Sequence, residues 1–111
     1  MQNVLVRPQA TVVKPLGSLN AANISKFQYQ LNEAVLSAQN TTLLVDLGQV
    51  EFIDSAGLMV LVAAHSLAQR LQKRLSLCSV SYPVRMIFEL TQLDGVFEIF
   101  DGHVAFHESI A

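Results

Sequence analysis

Hydrophobic residues recur along the chain at two different spacings, and the changes of spacing predict its secondary structure. Two short runs rich in β-branched residues, at 3–7 and 10–14, predict two strands joined by Pro8 and Gln9. Such an arrangement predicts an antiparallel hairpin. Pro15 cannot donate a hydrogen bond to a neighbouring strand, so the second strand should end before it, and a loop is expected at 16–19.

Three further runs predict the rest of the sheet. Residues 43–47 are continuously apolar apart from Asp46, which is typical of a central parallel strand covered on both faces. Residues 75–80 predict the next strand. Residues 96–100 alternate between apolar and polar positions, as in a half-buried strand.

Apolar residues at helical spacing predict four helices. Asn20 is the expected N-cap of the first, which should run to about residue 39, and Ser55 is the expected N-cap of the second. Pro83 fits the first turn of the third, and Asp101 is expected to cap the fourth. The residues expected to pack are Ile24, Phe27, Leu31, Ala34, Val35 and Ala38, then Val60, Leu61, Ala64, Leu67, Ala68, Leu71 and Leu75, then Val84, Met86, Ile87 and Leu90, and finally Val104, Phe106 and Ile110.

Strands that alternate with amphipathic helices imply right-handed crossovers and a mainly parallel sheet. The sequence therefore predicts one α/β domain over residues 1–111. Its sheet should be mixed but mainly parallel, with about five strands, the first antiparallel at an edge, and about four helices should cover it. Functional sites in such sheets lie at the carboxyl ends of the strands, and Ser55 is expected there.

Composition narrows the function classes. The chain has 111 residues, of which 51% are hydrophobic, enough for one core without disulfides. A net charge of -2 with 14% charged residues gives no basic surface for nucleic acid. No apolar run is long enough to span a membrane and no signal peptide is visible, so a cytoplasmic location without membrane contact is expected. Cys78 lies in an apolar run and is expected in the core.

The stretch around Ser55 is the best candidate for function. A serine at a helix N-terminus keeps its hydroxyl near the surface, and the positive end of the helix dipole tolerates a phosphate. The helical projection turns Leu58, Met59 and Val62 away from the packed stripe. An exposed apolar patch beside a modifiable serine predicts a regulated docking surface.

Enzymatic chemistry is not favoured. Ile53 stands where a nucleophile elbow around Ser55 would need glycine. Asp46 ends a strand as a phosphoaspartate would, but no acidic cluster for magnesium and no lysine after the last strand accompany it. His103 and His107 are one helical turn apart without a third ligand nearby, and His65 lies at a helix edge, so all three are expected in solvent. We expect that the protein is not an enzyme and that it binds no cofactor and no metal ion.

These residues bring out a family resemblance. The motif Asp54-Ser55-Ala56-Gly57-Leu58 is similar to that of the STAS domain, and most closely to that of the small bacterial anti-sigma factor antagonists. Residues 44–47, 17–20 and 84–90 support the resemblance, which covers nearly the whole chain.

The resemblance implies a STAS-like fold and a phosphosite at Ser55. The partners that it implies are an anti-sigma factor that is also a serine kinase, and a metal-dependent serine/threonine phosphatase. By the same resemblance, the unphosphorylated form is expected to bind the anti-sigma factor, and phosphorylation is expected to release it. The implied partner surface comprises Asn20, Asp54, Ala56, Gly57, Leu58, Met59 and Val62. Asn20 departs from the acidic residue often present in the family, so a carboxylate contact would be missing.

Two hypotheses from different classes remain. One is the phosphorylation-switched binding module described above. The other is a STAS-type module that binds a nucleotide or small anion without being phosphorylated. Incubation with ATP and candidate kinases, followed by intact mass, separates them.

Overall fold

The computed structural model describes residues 10–37 and 41–110. Its strands are β1 (Ala10–Val13), β2 (Gly17–Leu19), β3 (Thr42–Asp46), β4 (Val50–Ile53), β5 (Arg74–Cys78) and β6 (Glu98–Phe100). Its helices are α1 (Ile24–Leu36), α2 (Ser55–Arg70), α3 (Tyr82–Leu90) and α4 (His103–Ile110), with a short 3-10 helix at Leu93–Gly95.

The main sheet has the order β1-β3-β5-β6, and all of its pairs are parallel. Every residue of β3 is buried, and β3 lies between β1 and β5. The continuous apolar run therefore forms the central strand, as predicted. The α/β class, the mainly parallel sheet and the four helices are confirmed.

A second, two-stranded sheet pairs β2 with β4 in parallel. The loop expected at 16–19 is therefore wrong in part, and β4 was not predicted. Because each strand has only three or four residues and includes polar side chains, neither carries a clear alternating pattern. The Gly17 N–H donates to the Gln49 carbonyl at 2.9 Å, so pairing with a distant segment makes β2 extended.

The predicted hairpin falls partly outside the described residues. Residues 3–7 are not described, so the antiparallel first strand stays a prediction. Within the described part, β1 lies at an edge of the main sheet and pairs in parallel with β3.

Helix α1 begins later than predicted. Asn20 accepts a hydrogen bond from the Ala22 N–H at 2.9 Å through Oδ1, and its own N–H donates to Asn23 Oδ1 at 2.9 Å. These bonds form a turn, since short amide side chains compete with helical hydrogen bonding. The helix starts at Ile24 and ends at Leu36, so the predicted N-cap and length are wrong. Ala38 lies outside the described residues.

The main core lies on one side of the main sheet. It contains Leu43 and Val45 of β3, together with Phe27 and Leu31 of α1 and Leu61 of α2. Leu44 points the other way and packs with Cys78 and Phe106 in a smaller cluster under α4. Cys78 is therefore a core residue, as predicted. The two clusters place α1 and α2 on one face of the sheet and α4 on the other.

Some expected packing positions are exposed. Leu71, Leu90 and Val104 are all exposed, and Met86 is 36% exposed. Leu71 lies beyond the last residue of α2, and Leu90 ends α3, where few neighbours can cover a side chain. Pro83 lies in the first turn of α3, as predicted.

Arg74 of β5 links helix α4 to the edge strand β6 through hydrogen bonds. Its guanidinium donates to both carboxylate oxygens of Glu98, at 2.6 Å and 3.0 Å, and to Ser109 Oγ of α4 at 3.1 Å. It also lies 5.7 Å from the ring centroids of Phe100 and Phe106. The hydrogen bond from Arg74 holds the pKa of the Glu98 carboxyl below its usual value, against the raising effect of partial burial.

We expect Glu98→Gln to lower stability at neutral pH by about 0.5 kcal/mol, because the pair is half exposed and solvent screens it. Since the folded-state pKa is depressed, this contribution is full above the usual value of 4.5 and disappears as the pH falls through the folded-state value. Urea unfolding of both proteins between neutral and acid pH measures the difference. A difference that stays constant through the acid range would contradict this account.

Within the described residues, no helix is long and apolar enough to cross a membrane.

Candidate functional site

Asp54, not Ser55, caps helix α2. The Asp54 backbone is extended, and its Oδ1 accepts hydrogen bonds from the N–H groups of Ala56 at 2.9 Å and Gly57 at 3.1 Å. Ser55 is then the first helical residue and is exposed. The predicted N-cap is wrong by one position, because two adjacent residues can cap and the carboxylate can accept both bonds at once. The Ser55 side chain is left at the surface.

Asp54 also connects the two segments that meet at the site. Its Oδ2 accepts from the Ala21 N–H at 3.3 Å, and its N–H donates to the Leu19 carbonyl at 3.1 Å. Parallel pairing of β2 with β4 aligns Leu19 with Ile53, so both strands end at the same place. The structure therefore brings the turn at Asn20 beside Asp54, although 33 residues separate Ala21 from Asp54 in sequence.

Two expected surface positions are buried. Gly57 lies so close to β2 and β4 that a Cβ there would come within 2.6 Å of Ile53 Cγ1 and 2.9 Å of the Leu19 carbonyl. Leu58 is only 8% exposed and belongs to the main core. The expected outward position of Leu58 is wrong because the buried stripe of α2 runs through Gly57, Leu61, Ala64 and Ala68, which places Leu58 at its edge.

The outer face of α2 carries the exposed part of the motif. Met59, one helical turn after Ser55, is 67% exposed, whereas Val62 is half-buried against the core. Phe52, in the strand leading into α2, is 50% exposed, and the sequence analysis missed it. The sequence signal for Phe52 is a large apolar residue in the segment just before α2, but that segment was not predicted as a strand. Ser55, Met59 and Phe52 are therefore among the exposed residues around the start of α2.

A second polar group lies at the carboxyl ends of the main-sheet strands. His103 Nε2 is 2.7 Å from Asp46 Oδ2, and the Asp46 side chain is 8% exposed. Burial raises the pKa of the Asp46 carboxyl. Hydrogen bonds from His103 and from the Gly48 N–H, together with nearby positive charge, lower it by more than burial raises it, so the pKa lies below its usual value. Burial raises the pKa of the Cys78 thiol.

Two histidines differ from their expected positions in solvent. His103 is half-buried and paired with Asp46, a contact across 57 residues that no local pattern signals. The His65 ring is also half-buried and packs edge-to-face on Phe97, with centroids 5.1 Å apart. His107 is exposed, as predicted.

Comparison with known proteins identifies the family. The profile of the STAS domain matches residues 2–105. The chain belongs to the STAS domain family. The matched region contains the described main sheet, helices α1 to α3 and the Asp54–Ser55 segment of this STAS domain, and it ends within α4.

Several proteins similar to this STAS domain are named anti-sigma factor antagonists. An anti-sigma F factor antagonist of Paenibacillus polymyxa is 25% identical over 93 residues, which cover 84% of this chain and 80% of that protein. A solved structure is also similar: the candidate anti-sigma factor antagonist of Thermotoga maritima has a TM-score of 0.83 at 25% identity, with 91% of this chain and 86% of that chain covered.

The anti-sigma factor antagonist SpoIIAA of Bacillus has the same fold in two solved states. Its unphosphorylated form has a TM-score of 0.77 at 18% identity and covers 98% of this chain and 94% of its own. Its phosphorylated form has a TM-score of 0.71 at 17% identity and covers 99% of this chain and 98% of its own.

Proposed function

We propose that this STAS domain is an anti-sigma factor antagonist that acts by partner switching. In its unphosphorylated form it binds an anti-sigma factor that is also a serine kinase, and phosphorylation of Ser55 releases it. A metal-dependent serine/threonine phosphatase returns it to the binding form. The observation that carries the proposal is the exposed Ser55 at the start of α2, directly after the Asp54 cap. The names of the relatives support it.

The position of Ser55 suits a phosphate that alters the surface and leaves the fold intact. A helix N-terminus is the positive end of the helix dipole, which favours an added anion. The N–H groups of Ala56 and Gly57 are already bound to Asp54. A phosphate on Ser55 would therefore stay at the surface beside the Asp54 carboxylate, where its charge reaches a bound partner.

The proposed partner surface follows the exposed groups around this site. Met59 supplies apolar contact one turn from Ser55, and Ala56 and Val62 are half-buried beside it. Across the joined strand ends, the turn at Asn20 adds polar groups, because Asp54 holds that turn in place. Gly57 and Leu58 would act from beneath, by setting how close α2 lies to the strands.

Met59→Lys tests the apolar part of this surface. We expect unfolding free energy to change by less than about 0.5 kcal/mol, since Met59 is exposed. Binding to the anti-sigma factor should fall at least about tenfold, because a lysine charge would be desolvated in the interface. Calorimetric titration measures the affinity and urea unfolding the stability.

Leu58→Lys is the matched comparison, because the neighbouring Leu58 is buried. It should destabilise the fold by several kcal/mol, as an unpaired buried charge does. If Met59→Lys unfolds the protein as Leu58→Lys does, or leaves binding unchanged, the surface is misplaced.

Phosphorylation itself is tested by incubating the chain with ATP and each anti-sigma factor kinase of the source organism. Intact mass should increase by one phosphate in the wild-type chain and in Ser66→Ala, a control on the exposed face of the same helix. Ser55→Ala should not gain mass. Modification of Ser55→Ala, or of no variant with any kinase, would contradict the proposal.

Binding of a nucleotide or small anion is the second candidate function. A cleft of about 210 Å³ is lined by Lys14, Lys26, Leu16 and Phe27, among others, and its two lysines favour an anion. Calorimetry with GTP, ATP and inorganic phosphate tests it. Binding that Lys26→Gln weakens, in a chain that no kinase modifies, would favour this function over partner switching.

A further inference from the structure

Three side chains able to bind metal meet at the carboxyl edge of the main sheet. Asp46 ends β3, Cys78 ends β5, and His103 begins α4 directly after β6. One ligand atom from each side chain lies within 4.8 Å of the other two. The group is separate from Ser55, which follows a strand of the smaller sheet.

The backbone sets this group in place. Asp46 and Cys78 are partners in the parallel register of β3 with β5, so their side chains leave the same face of the sheet. That face is the one that α4 covers, since Cys78 packs with Leu44 and with Phe106 of α4. His103, in the first turn of α4, therefore comes down onto the two strand ends.

The donor atoms are also oriented. The Gly48 N–H donates to Asp46 Oδ1 at 2.8 Å, which leaves Oδ2 facing His103. Ser79 Oγ lies 3.7 Å from Cys78 Sγ and donates to it. Asp46 and Cys78 are buried, whereas the His103 side chain is 42% exposed. An ion can thus approach from the His103 side.

We propose that Asp46, Cys78 and His103 bind one divalent transition-metal ion of the zinc type through a carboxylate oxygen, a thiolate and an imidazole nitrogen. A mixed oxygen, sulfur and nitrogen donor set suits Zn²⁺ and Co²⁺, whereas Mg²⁺ and Ca²⁺ take oxygen ligands. Three protein ligands leave the fourth tetrahedral position for water. The dication balances the charge of the carboxylate and of the thiolate that forms when the metal binds, so binding leaves no uncompensated negative charge buried.

The geometry requires little movement. Metal–ligand distances of about 2.0–2.3 Å separate tetrahedral donor atoms by roughly 3.3–3.8 Å. Because the three atoms already lie within 4.8 Å, side-chain shifts of about one ångström complete the site. On binding, the sulfur–metal bond replaces the S–H bond of Cys78, and that proton passes to the buffer. His103 exchanges its contact with Asp46 for the metal.

In the sequence, His103 and His107 form a pair of potential ligands without a third nearby, which is why no metal was expected. The other two donors come from strand ends that are distant in sequence, and only the strand register brings them together. A bound ion would join β3, β5 and α4, so it should raise the melting temperature of the whole chain.

The test uses the untagged full chain, freed of metal with a chelator and titrated with Co²⁺ and with Zn²⁺. We expect one ion per chain and, with Co²⁺, a thiolate-to-metal charge-transfer band. Cys78→Ser should abolish the band, and Cys78→Ser and His103→Ala should each weaken binding by at least about a hundredfold, since even indirect partners of a metal contribute about 10–100-fold.

His107→Ala and His65→Ala are the matched controls, because neither histidine supplies a ligand atom to the group, although the His107 ring lies 6.2 Å from the His103 ring. They should leave the affinity unchanged. His103→Ala keeps the test valid if Cys78→Ser folds poorly, since His103 is partly exposed. The proposal is overturned if the wild-type chain does not bind one ion per chain, or if its Co²⁺ form lacks the charge-transfer band. It is also overturned if the control substitutions weaken binding as much as His103→Ala.

Discussion

Phosphorylation of Ser55 is expected to weaken binding to the anti-sigma factor by more than about a hundredfold while the fold stays intact. The phosphate adds about -1.5 to -2 charges at neutral pH beside Asp54, and a partner packed on Ser55 would have to accommodate a hydrated dianion. A penalty of about 3 kcal/mol already exceeds a hundredfold in affinity. The exposed position of Ser55 and the intact Asp54 cap explain why the fold should survive.

Calorimetric titration of the phosphorylated and unphosphorylated chains measures this effect, and circular dichroism checks the fold. Ser55→Ala should bind like the unphosphorylated chain and stay bound in the presence of ATP. Ser55→Asp should bind poorly, although one carboxylate imitates a phosphate incompletely. A phosphorylated chain with a native spectrum and full affinity would refute the switch, and one that loses tertiary structure would indicate refolding instead.

Gly57→Val is expected to cost about 3 kcal/mol of unfolding free energy. The new Cβ would lie 2.6 Å from Ile53 Cγ1 and 2.9 Å from the Leu19 carbonyl, and a backbone atom cannot give way as a flexible side chain can. Overpacking costs about 1–3 kcal/mol for small additions, and the two further methyl groups of valine place this change at the upper end. The gain in helix propensity over glycine is only a few tenths of a kcal/mol.

Gly95→Val is the matched control, because no atom lies within 4 Å of a Cβ at that position. It should change stability by less than about 1 kcal/mol. Urea unfolding of both variants gives the comparison. If Gly57→Val is as stable as Gly95→Val, α2 does not lie as close to β2 and β4 as described.

The parts of the fold that the sequence predicted are those with a strong local signal. The continuous apolar run of β3 identified the central strand, and Pro83 identified the start of α3. Strands β2 and β4 are too short for a periodic signal and depend on each other for hydrogen bonds. The turn at Asn20 was mistaken for a cap because the same side-chain hydrogen bonds serve in both.

The cap of α2 was predicted to within one residue in sequence, but the contacts around it were not. Asp54 and Ser55 are both suitable caps, and Asp54 is favoured by a third hydrogen bond that its side chain accepts, from the Ala21 N–H, which is a tertiary contact. The burial of Leu58 depends in the same way on how α2 lies against its neighbours. The pairing of Asp46 with His103 requires the direction of α4, which follows from the packing of Phe106.

The most direct test of the proposed function measures release of a sigma factor. Each sigma factor of the source organism is labelled with a fluorophore and bound to its own anti-sigma factor. The chain is then added to each complex in turn, and the fluorescence anisotropy of the sigma factor is followed. The unphosphorylated chain should release the sigma factor from one of these complexes, and the chain phosphorylated on Ser55 should not. Release by both forms, or by neither form from any complex, would contradict partner switching.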